Sequence, residues 1–315
     1  MRTRTLAVAL FTLIAGGNAA GGEPFPAAKE LLAADRAFAE ASAEHGTEAW
    51  LDVWAEQGLL YADGSAPVVG PQATGMSIRD SVAELRWKPT SSAMLWPNEL
   101  GFTIGTRWMR SDVDGRRSPY LTVWHRISDE WKVALSLSIP RQQDSEAARD
   151  FDFWLGDWQL SQQIWSGDGD DFESYAARSQ VRRISRAGAL VENFEGRVRF
   201  FWLGMEESAR MRGASVRVYY PDAGEWRIFW MDTLDPGFGL PFSGGFSGSV
   251  GEFQLSERPE GLPPSKIRFE SQPDGSVDWR LSLRERDGEG WRPLWLIEFR
   301  RPEPPSLSSR RCKDY

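Results

Sequence analysis

The sequence predicts a two-domain protein, an N-terminal α+β cone followed by a C-terminal antiparallel β-barrel of about eight to ten strands. A chain of 315 residues is long for one hydrophobic core but sufficient for two. Helical spacing of apolar residues occurs only in the first half, whereas short strand patterns separated by Gly, Pro and Asp turns fill the second. The polar segment 140–149 lies between them and is predicted to be a linker.

The first twenty residues are typical of a secretory signal peptide. Arg2 and Arg4 precede an apolar stretch at 6–15, and small residues suited to cleavage follow at 17–20. The apolar stretch is short for a bilayer span, although a retained anchor is the alternative. Cys312 is the only cysteine, so no internal disulfide can form. We therefore predict a periplasmic or secreted protein with no membrane span in the mature chain.

The net charge and the small number of Cys and His residues exclude several classes of partner and cofactor. The chain has 37 basic and 45 acidic residues, a formal net charge of −8, and no segregated basic patch, which disfavours nucleic acid. His45 and His125 are the only histidines, and both precede the predicted barrel. A Cys/His zinc site and a histidine-ligated haem in the barrel are therefore excluded. We predict no metal and no cofactor.

The first domain, residues 27–139, begins with helices. Apolar residues recur every three or four positions over 30–45, which predicts the first helix. Thr47 is a suitable N-cap for a second helix over 47–57, and 76–85 has the pattern of a third. Between them, 59–64 is predicted to be a short strand that leads into a turn.

Three further strands complete the predicted cone. Strands over 100–109 and 118–127 are joined by a turn at 112–115, and a turn at 128–130 leads into the strand 131–138. A curved sheet closed by helices has a concave face that forms a natural pocket.

Four segments of this domain resemble a known superfamily. They are LLAADRAF (31–38), the segment 49–63, YLTVWHR (120–126) and WKV (131–133), and they are similar to SnoaL-like, nuclear-transport-factor-2-like proteins, in particular a small bacterial branch of uncharacterised function. The resemblance implies a cone with a small-molecule pocket, in a superfamily that includes isomerases, cyclases and dehydratases. It also implies a homodimer through the cone, because such cones often pair through their sheets.

Acid–base chemistry in such a pocket requires an ionisable group held away from water. The catalytic candidates are Asp35, Tyr61, Asp63 and His125. His125 follows Trp124 on a predicted strand, so the two side chains point to opposite faces. If Trp124 faces the helices, His125 faces out, and a hydrogen-bonded or solvent-facing histidine is the alternative to a base. Asp63 precedes a glycine and fits a turn equally well.

The second domain, residues 150–301, consists of short strand patterns. They cover 158–165, 178–185, 189–196, 198–203, 214–220, 225–232, 242–247, 251–256, 267–271, 277–286 and 291–301. Such a series without a long helix predicts a closed or nearly closed barrel, which has no long exposed edge. The Gly-rich segment 237–248 is predicted to be a rim loop with exposed Phe rings that could act as a lid, and 302–315 is predicted to be a disordered tail.

Three motifs of this domain resemble a bacterial family of calycin-type, lipocalin-like barrels. They are FDFWLGDW (151–158), GALVENFEG (188–196) and VYYPDAGEW (218–226). Gly156 would let the backbone bend, so that the indole of Trp158 closes the barrel floor. The resemblance implies a binder of hydrophobic small molecules and supplies no catalytic residues.

The ligand-binding candidates are mainly large aromatic residues. They are Trp54, Trp108, Trp154, Glu192, Trp226 and Trp230. Along 225–232, Trp226 and Trp230 share one face and Phe229 the other, so one face could line a cavity while the other packs outside. A filled core is the alternative for the aromatic residues, and hydrogen bonds to neighbouring strands are the alternative for Glu192.

These observations predict an exported protein that binds a hydrophobic or amphipathic small molecule in two pocket-bearing domains. One alternative is an enzyme of isomerase, dehydratase, cyclase or hydrolase type that uses the cone pocket. The other is a structural or partner-binding protein whose cores are filled. A buried Asp or Tyr beside open volume in the cone would favour the enzyme, and a large apolar cavity in the barrel would favour the binder.

Overall fold

The structure is a computed structural model that describes residues 26–62, 65–112, 115–141, 146–184, 188–255, 263–285 and 290–303. The predicted signal peptide, Asp63, most of the predicted tail and part of the predicted linker lie outside these residues.

The first unit contains three helices on one side of a six-stranded sheet. They are α1 (Pro26–His45), α2 (Thr47–Val53) and α3 (Pro71–Ile78), with β1 (Trp54–Tyr61), β2 (Val68–Val69), β3 (Leu85–Trp96), β4 (Leu100–Met109), β5 (Ser118–Ile127) and β6 (Glu130–Ser138). The strand order is β2-β1-β6-β5-β4-β3, in which β1 and β6 are parallel and all other neighbours antiparallel. This arrangement confirms the predicted α+β cone.

All three predicted helices have different bounds. The first begins at Pro26 instead of residue 30. The second ends at Val53 instead of residue 57, because the chain from Trp54 onward pairs with β6. The third starts at Pro71, just after Gly70, whose φ of 85° is in the left-handed region. Proline suits the first turn of a helix because its missing N–H would have no intrahelical partner there.

The strand β3 was missed by the sequence prediction. Its pairing with β4 shifts register twice, around Pro89 and again near Met94, so its apolar residues do not alternate regularly. The predicted strands β4 and β5 are confirmed at both ends, and β6 begins one position earlier than predicted. Ser128 and Asp129 between them have positive φ values of 50° and 66°, which suits a two-residue hairpin turn.

The second unit is a closed barrel of ten antiparallel strands. Its strands are β7 (Gly156–Trp165), β8 (Phe172–Ile184), β9 (Ala189–Val198), β10 (Ala209–Tyr220), β11 (Glu225–Asp232), β12 (Phe242–Ser247), β13 (Val250–Leu255), β14 (Ser265–Ser271), β15 (Val277–Arg284) and β16 (Trp291–Arg300). Each strand pairs with the next along the chain, and β16 closes the barrel by pairing with β7. The predicted barrel is confirmed.

Four details of the barrel differ from the prediction. The strand β10 begins at Ala209 instead of residue 214. The strand β8 begins at Phe172 instead of residue 178. The predicted strand 198–203 is wrong, because the chain forms a 3-10 helix at Phe201–Leu203. In the Gly-rich segment, Phe238 is buried at 4% exposure instead of lying on an exposed rim loop.

The aromatic segment that opens the barrel fills its floor. Trp154 and Trp158 are almost fully buried, and Gly156 has a φ of 127° that places the chain at a bend. Arg301 stacks on the Trp158 ring at 3.6 Å and donates hydrogen bonds to two main-chain carbonyls of segment 153–155. At this φ a residue with a side chain would be strained, so the backbone conformation at the bend favours glycine.

The two units share an apolar core. The outer face of β10 and β11 packs on the face of the cone sheet opposite the helices, and Tyr61 contacts Tyr220 at 5.5 Å and Phe229 at 5.4 Å between ring centroids. The Tyr220 hydroxyl donates to the Ser138 carbonyl across the junction at 3.3 Å. Each unit also has a core of its own, so the chain contains a cone core, a barrel core and this shared core between them.

Candidate functional site

The barrel interior contains a cavity of about 220 Å³. Its lining is predominantly aromatic and aliphatic. It comes from seven of the ten strands, from the 3-10 helix at Phe201–Leu203, and from Trp154 and Phe200. The apolar lining residues are Trp154, Phe194, Phe200, Trp202, Leu203, Ile228, Trp230, Phe242, Ile267, Phe269, Trp279, Leu281, Trp295, Ile297 and Phe299. Such a surface suits the apolar body of a small molecule.

One part of the lining is polar and consists of residues on β9 and β10. Glu192 and Arg217 are 4% and 3% exposed and form an ion pair through Arg217 Nη2 and Glu192 Oε2. The hydroxyls of Ser179 and Ser215 also donate to the Glu192 carboxylate, at 2.6 and 3.0 Å. Glu192 therefore bonds to neighbouring strands, as the alternative interpretation expected, and lines the cavity as well.

The Arg217 guanidinium has two nitrogens without a partner among the described residues. Nε and Nη1 are both buried, and neither donates a hydrogen bond there. Phe151, Trp154 and Phe269 surround the guanidinium carbon at 5.2, 5.4 and 5.7 Å from their ring centroids. Burial lowers the pKa of Arg217, and the nearby Glu192 opposes this shift. An arginine in such a pair stays charged, so the cavity wall presents a cation with unused donors.

Asp232, at the end of β11, is a second carboxylate in the lining. It accepts hydrogen bonds from Trp230 Nε1 at 2.9 Å and from the backbone N–H of Leu234 at 2.8 Å. The cavity lining therefore carries Glu192 and Asp232 against the single guanidinium of Arg217, a formal excess of one negative charge.

The 3-10 helix at Phe201–Leu203 forms a mouth for the cavity. Trp202 and Leu203 line the cavity, and Leu203 is nevertheless 65% exposed to solvent. The neighbouring Phe201 is 45% exposed. This segment therefore lies where the cavity meets solvent.

The structure brings three of the predicted ligand-binding residues together. Trp154, Glu192 and Trp230 line the cavity. Trp226 is buried in the same core but donates to the Ala147 carbonyl at 3.0 Å. Along 225–232 the two faces have different surroundings, since Trp230 lines the cavity and Phe229 packs against the cone.

Sequence reasoning missed Arg217 and Ser215. Both lie on the inward face of β10, but the outward-facing residues of that strand, Val216 and Val218, are equally buried. The alternation of polar and apolar residues along β10 was therefore the one signal that could have found Arg217 and Ser215. It does not show which face of the strand encloses a cavity.

In the cone, Asp35 is buried at 1% exposure. Its carboxylate accepts hydrogen bonds from Trp87 Nε1 at 2.9 Å and from the Tyr120 hydroxyl at 2.7 Å. Burial raises the pKa of Asp35, and hydrogen bonds from Thr103, Tyr120 and Trp87 counteract part of that shift. The Phe38 ring packs on Trp87 at 4.9 Å, so rings enclose this carboxylate.

The remaining candidate residues lie apart from both the barrel cavity and the hydrogen bonds around Asp35. Tyr61 is in the core shared by the two units. Trp54 packs in the core between helices and sheet, and Trp108 is half-buried under the Arg117 guanidinium at 4.8 Å. Asp63 is outside the described residues.

His125 and Trp124 point to opposite faces of the sheet, as predicted. Trp124 is in the core on the helix side, whereas His125 is half-buried beside the Glu99–Arg212 ion pair that joins cone and barrel. Burial lowers the pKa of His125, and its Nδ1 has no partner among the described residues.

The raised pKa of Asp35 predicts a pH effect on stability. The folded protein holds the Asp35 proton more tightly than the unfolded chain, so this contribution is largest below pH 3.8 and is lost as pH rises through the folded pKa. Asp35→Asn should therefore gain stability relative to wild type as pH increases from about 4 to 7. Urea unfolding at several pH values measures this difference. Exposed Asp52→Asn is the control, and an unchanging difference for Asp35→Asn would contradict the prediction.

Within the described part of the chain, no cluster of three or more His, Cys, Asp or Glu side chains is arranged to hold a metal ion. No helix described there combines the length and apolarity needed to cross a bilayer.

Comparisons with known proteins give structural similarity only. No protein-family model matches the sequence, and no curated protein matches it. A nuclear-transport-factor-2-like protein of unknown function from Shewanella oneidensis is 18% identical over 35% of this chain and 96% of its own, with a TM-score of 0.31. A nuclear-transport-factor-2-like protein of unknown function from Pseudomonas putida is 10% identical over 38% of this chain and 89% of its own, with a TM-score of 0.33. A ketosteroid-isomerase-like protein from Erwinia carotovora is 15% identical over 34% of this chain and 92% of its own, with a TM-score of 0.28.

The strand order and barrel closure define the class of protein. It consists of an α+β cone joined to a closed ten-stranded antiparallel barrel. A fold of this class can carry many functions, so the function has to be argued from the cavity.

Proposed function

We propose that the protein is exported and binds a small apolar or amphipathic molecule inside its barrel. The cavity of about 220 Å³, apolar over most of its wall and polar at Glu192 and Arg217, carries this proposal. Concave apolar surfaces with a few convergent polar groups are typical of small-molecule sites. The leader-like pattern at 1–20 supports export.

The volume limits the size of the ligand. An apolar cavity of roughly 150 Å³ holds benzene, whereas sites for drug-sized ligands occupy about 300–1,000 Å³. The barrel cavity lies between these values. We therefore propose a ligand of one substituted ring or a short branched chain.

We place ligand binding in the barrel and not in the cone. The space between the cone's helices and sheet is occupied by packed rings that include Phe38, Trp50 and Trp87. The carboxyl of Asp35, on which an enzymatic alternative would depend, is enclosed by its own hydrogen-bond donors. A homodimer through the cone stays a prediction, and it would need a surface other than the sheet face that the barrel covers.

Filling the cavity tests the proposal. Leu281 lines the cavity, so Leu281→Trp should reduce affinity for any bound molecule at least tenfold. Because the larger side chain fills empty space, the unfolding temperature should be unchanged or higher. Ligand binding is measured on the full chain by native mass spectrometry and by thermal shift with single-ring and short-chain compounds, including ethylbenzene. Leu296→Trp, on the outer face of β16, is the matched control. Wild-type protein that binds none of these compounds, or a Leu281→Trp variant that binds as wild type, would contradict the proposal.

A further inference from the structure

We propose that the ligand carries a neutral, carbonyl-type oxygen that accepts hydrogen bonds from Arg217, and that the site selects against carboxylates. This inference rests on the proposed function, because it concerns the chemistry of the molecule held in the barrel. The observations behind it are the unused donors of Arg217 and the charge balance of the cavity wall.

The unused donors of Arg217 indicate that a hydrogen-bond acceptor binds beside this side chain. Arg217 is 3% exposed, lines the cavity and uses Nη2 for Glu192, whereas Nε and Nη1 have no acceptor among the described residues. Buried N–H groups normally have partners, and a buried group left without one is costly. The aromatic rings around the guanidinium supply only weak acceptors. A ligand oxygen beside Arg217 would satisfy these donors.

The charge balance selects a neutral acceptor. The positive charge of Arg217 is already paired with Glu192, and Asp232 adds a further carboxylate to the same lining. A second anion in this apolar space would be repelled by both carboxylates and would lose its hydration. A carbonyl oxygen accepts a charge-assisted hydrogen bond without either penalty.

A cationic head group is also disfavoured. The Glu192 carboxylate already accepts hydrogen bonds from Ser179, Ser215 and Arg217, and Asp232 accepts from Trp230 and from backbone N–H groups. An ammonium group would have to compete with donors that are already in place. Among the described residues that line it, the cavity therefore offers the donors of Arg217 and no comparably free acceptor.

Three probes of similar size distinguish the possibilities. Acetophenone has a ketone oxygen, ethylbenzene replaces it by a hydrocarbon group, and benzoate replaces it by a carboxylate. Binding to the full chain at neutral pH is followed by tryptophan fluorescence, since several of the lining residues are tryptophans. We expect acetophenone to bind about tenfold or more tightly than ethylbenzene, because a hydrogen bond to a charged donor is worth about that factor, and benzoate to bind more weakly than both.

Variants test whether the buried pair Glu192–Arg217 causes the preference for acetophenone over ethylbenzene. The double variant Glu192→Leu/Arg217→Met removes both charges together and avoids leaving one of them buried alone. It should bind acetophenone and ethylbenzene within about twofold of each other, since the charged donor that distinguishes the two probes is then absent. Arg178→Met is the matched control, because the Arg178 side chain is 75% exposed on the outside of the barrel.

The outcomes separate this inference from the proposed function. Ethylbenzene binding as tightly as acetophenone, or benzoate binding most tightly, would overturn the inference and leave a small-molecule binder. A preference that persists in the double variant would also overturn it. If none of the probes binds, the proposed function and the inference both fail. If the double variant does not fold, the order of affinities of the three probes for the wild-type protein decides whether the inference holds.

Discussion

Arg217→Met should lower the free energy of unfolding by about 3–5 kcal/mol, the cost of breaking a buried ion pair by removing one partner. The substitution keeps an apolar chain of similar length but leaves the Glu192 carboxylate at 4% exposure with only the hydroxyls of Ser179 and Ser215 as donors. An uncompensated charge in an apolar interior is far more costly than the loss of the attraction itself. Urea unfolding followed by far-UV circular dichroism measures the change.

The double variant Glu192→Leu/Arg217→Met provides the decisive comparison. Replacing both partners of a buried pair by apolar groups is often close to neutral, so the double variant should be more stable than Arg217→Met alone. Arg178→Met removes an exposed guanidinium from the same barrel and should change stability by no more than about 0.5 kcal/mol. A double variant as unstable as the single one would show that Arg217 acts through its packing and not through its charge.

The barrel was predictable from the sequence because its turns and its alternation are local signals. Gly224 ends the hairpin between β10 and β11 with a φ of 66°, and the flanking strands were located within a few residues. The segment 201–203 was misassigned because Phe-Trp-Leu has the composition of a strand. Its use as a 3-10 helix at the cavity mouth depends on contacts with distant strands.

The shared core could not be predicted for a different reason. The strand β10 is buried on both faces, and Val216 and Val218 face the cone sheet while Ser215 and Arg217 face the cavity. A sequence with apolar residues on the outside of a barrel strand indicates that something covers it. It does not identify the covering element.

The partners of the buried polar groups could not be predicted, because they lie far away in the sequence. Asp35 was singled out, but its donors Trp87 and Tyr120 are 52 and 85 positions away. Glu192 was singled out too, whereas Arg217, 25 positions further, was not. With one sequence, a single buried charge can be suspected from its apolar neighbours, but its partner becomes visible only when the strands are placed in register.

Phe229→Ala should lower the free energy of unfolding by about 3–5 kcal/mol, and it should do so for both units at once. Phe229 is 0% exposed, and its ring packs on Tyr61 of the cone from the outer wall of the barrel. Truncation leaves a void in the core that both units share. We therefore expect wild type to unfold in one calorimetric transition and the variant to unfold in one transition at a lower temperature.

Phe201→Ala is the matched control, because Phe201 is 45% exposed at the cavity mouth and belongs to neither side of the junction. Its removal should change the unfolding temperature little, since a half-exposed ring contributes less buried area. Two transitions in wild type, with only one of them moved by Phe229→Ala, would show that the cone and barrel unfold separately. A single transition moved as a whole would mean that the barrel's stability depends on the cone covering its outer wall, and that the cavity should be studied in the intact chain.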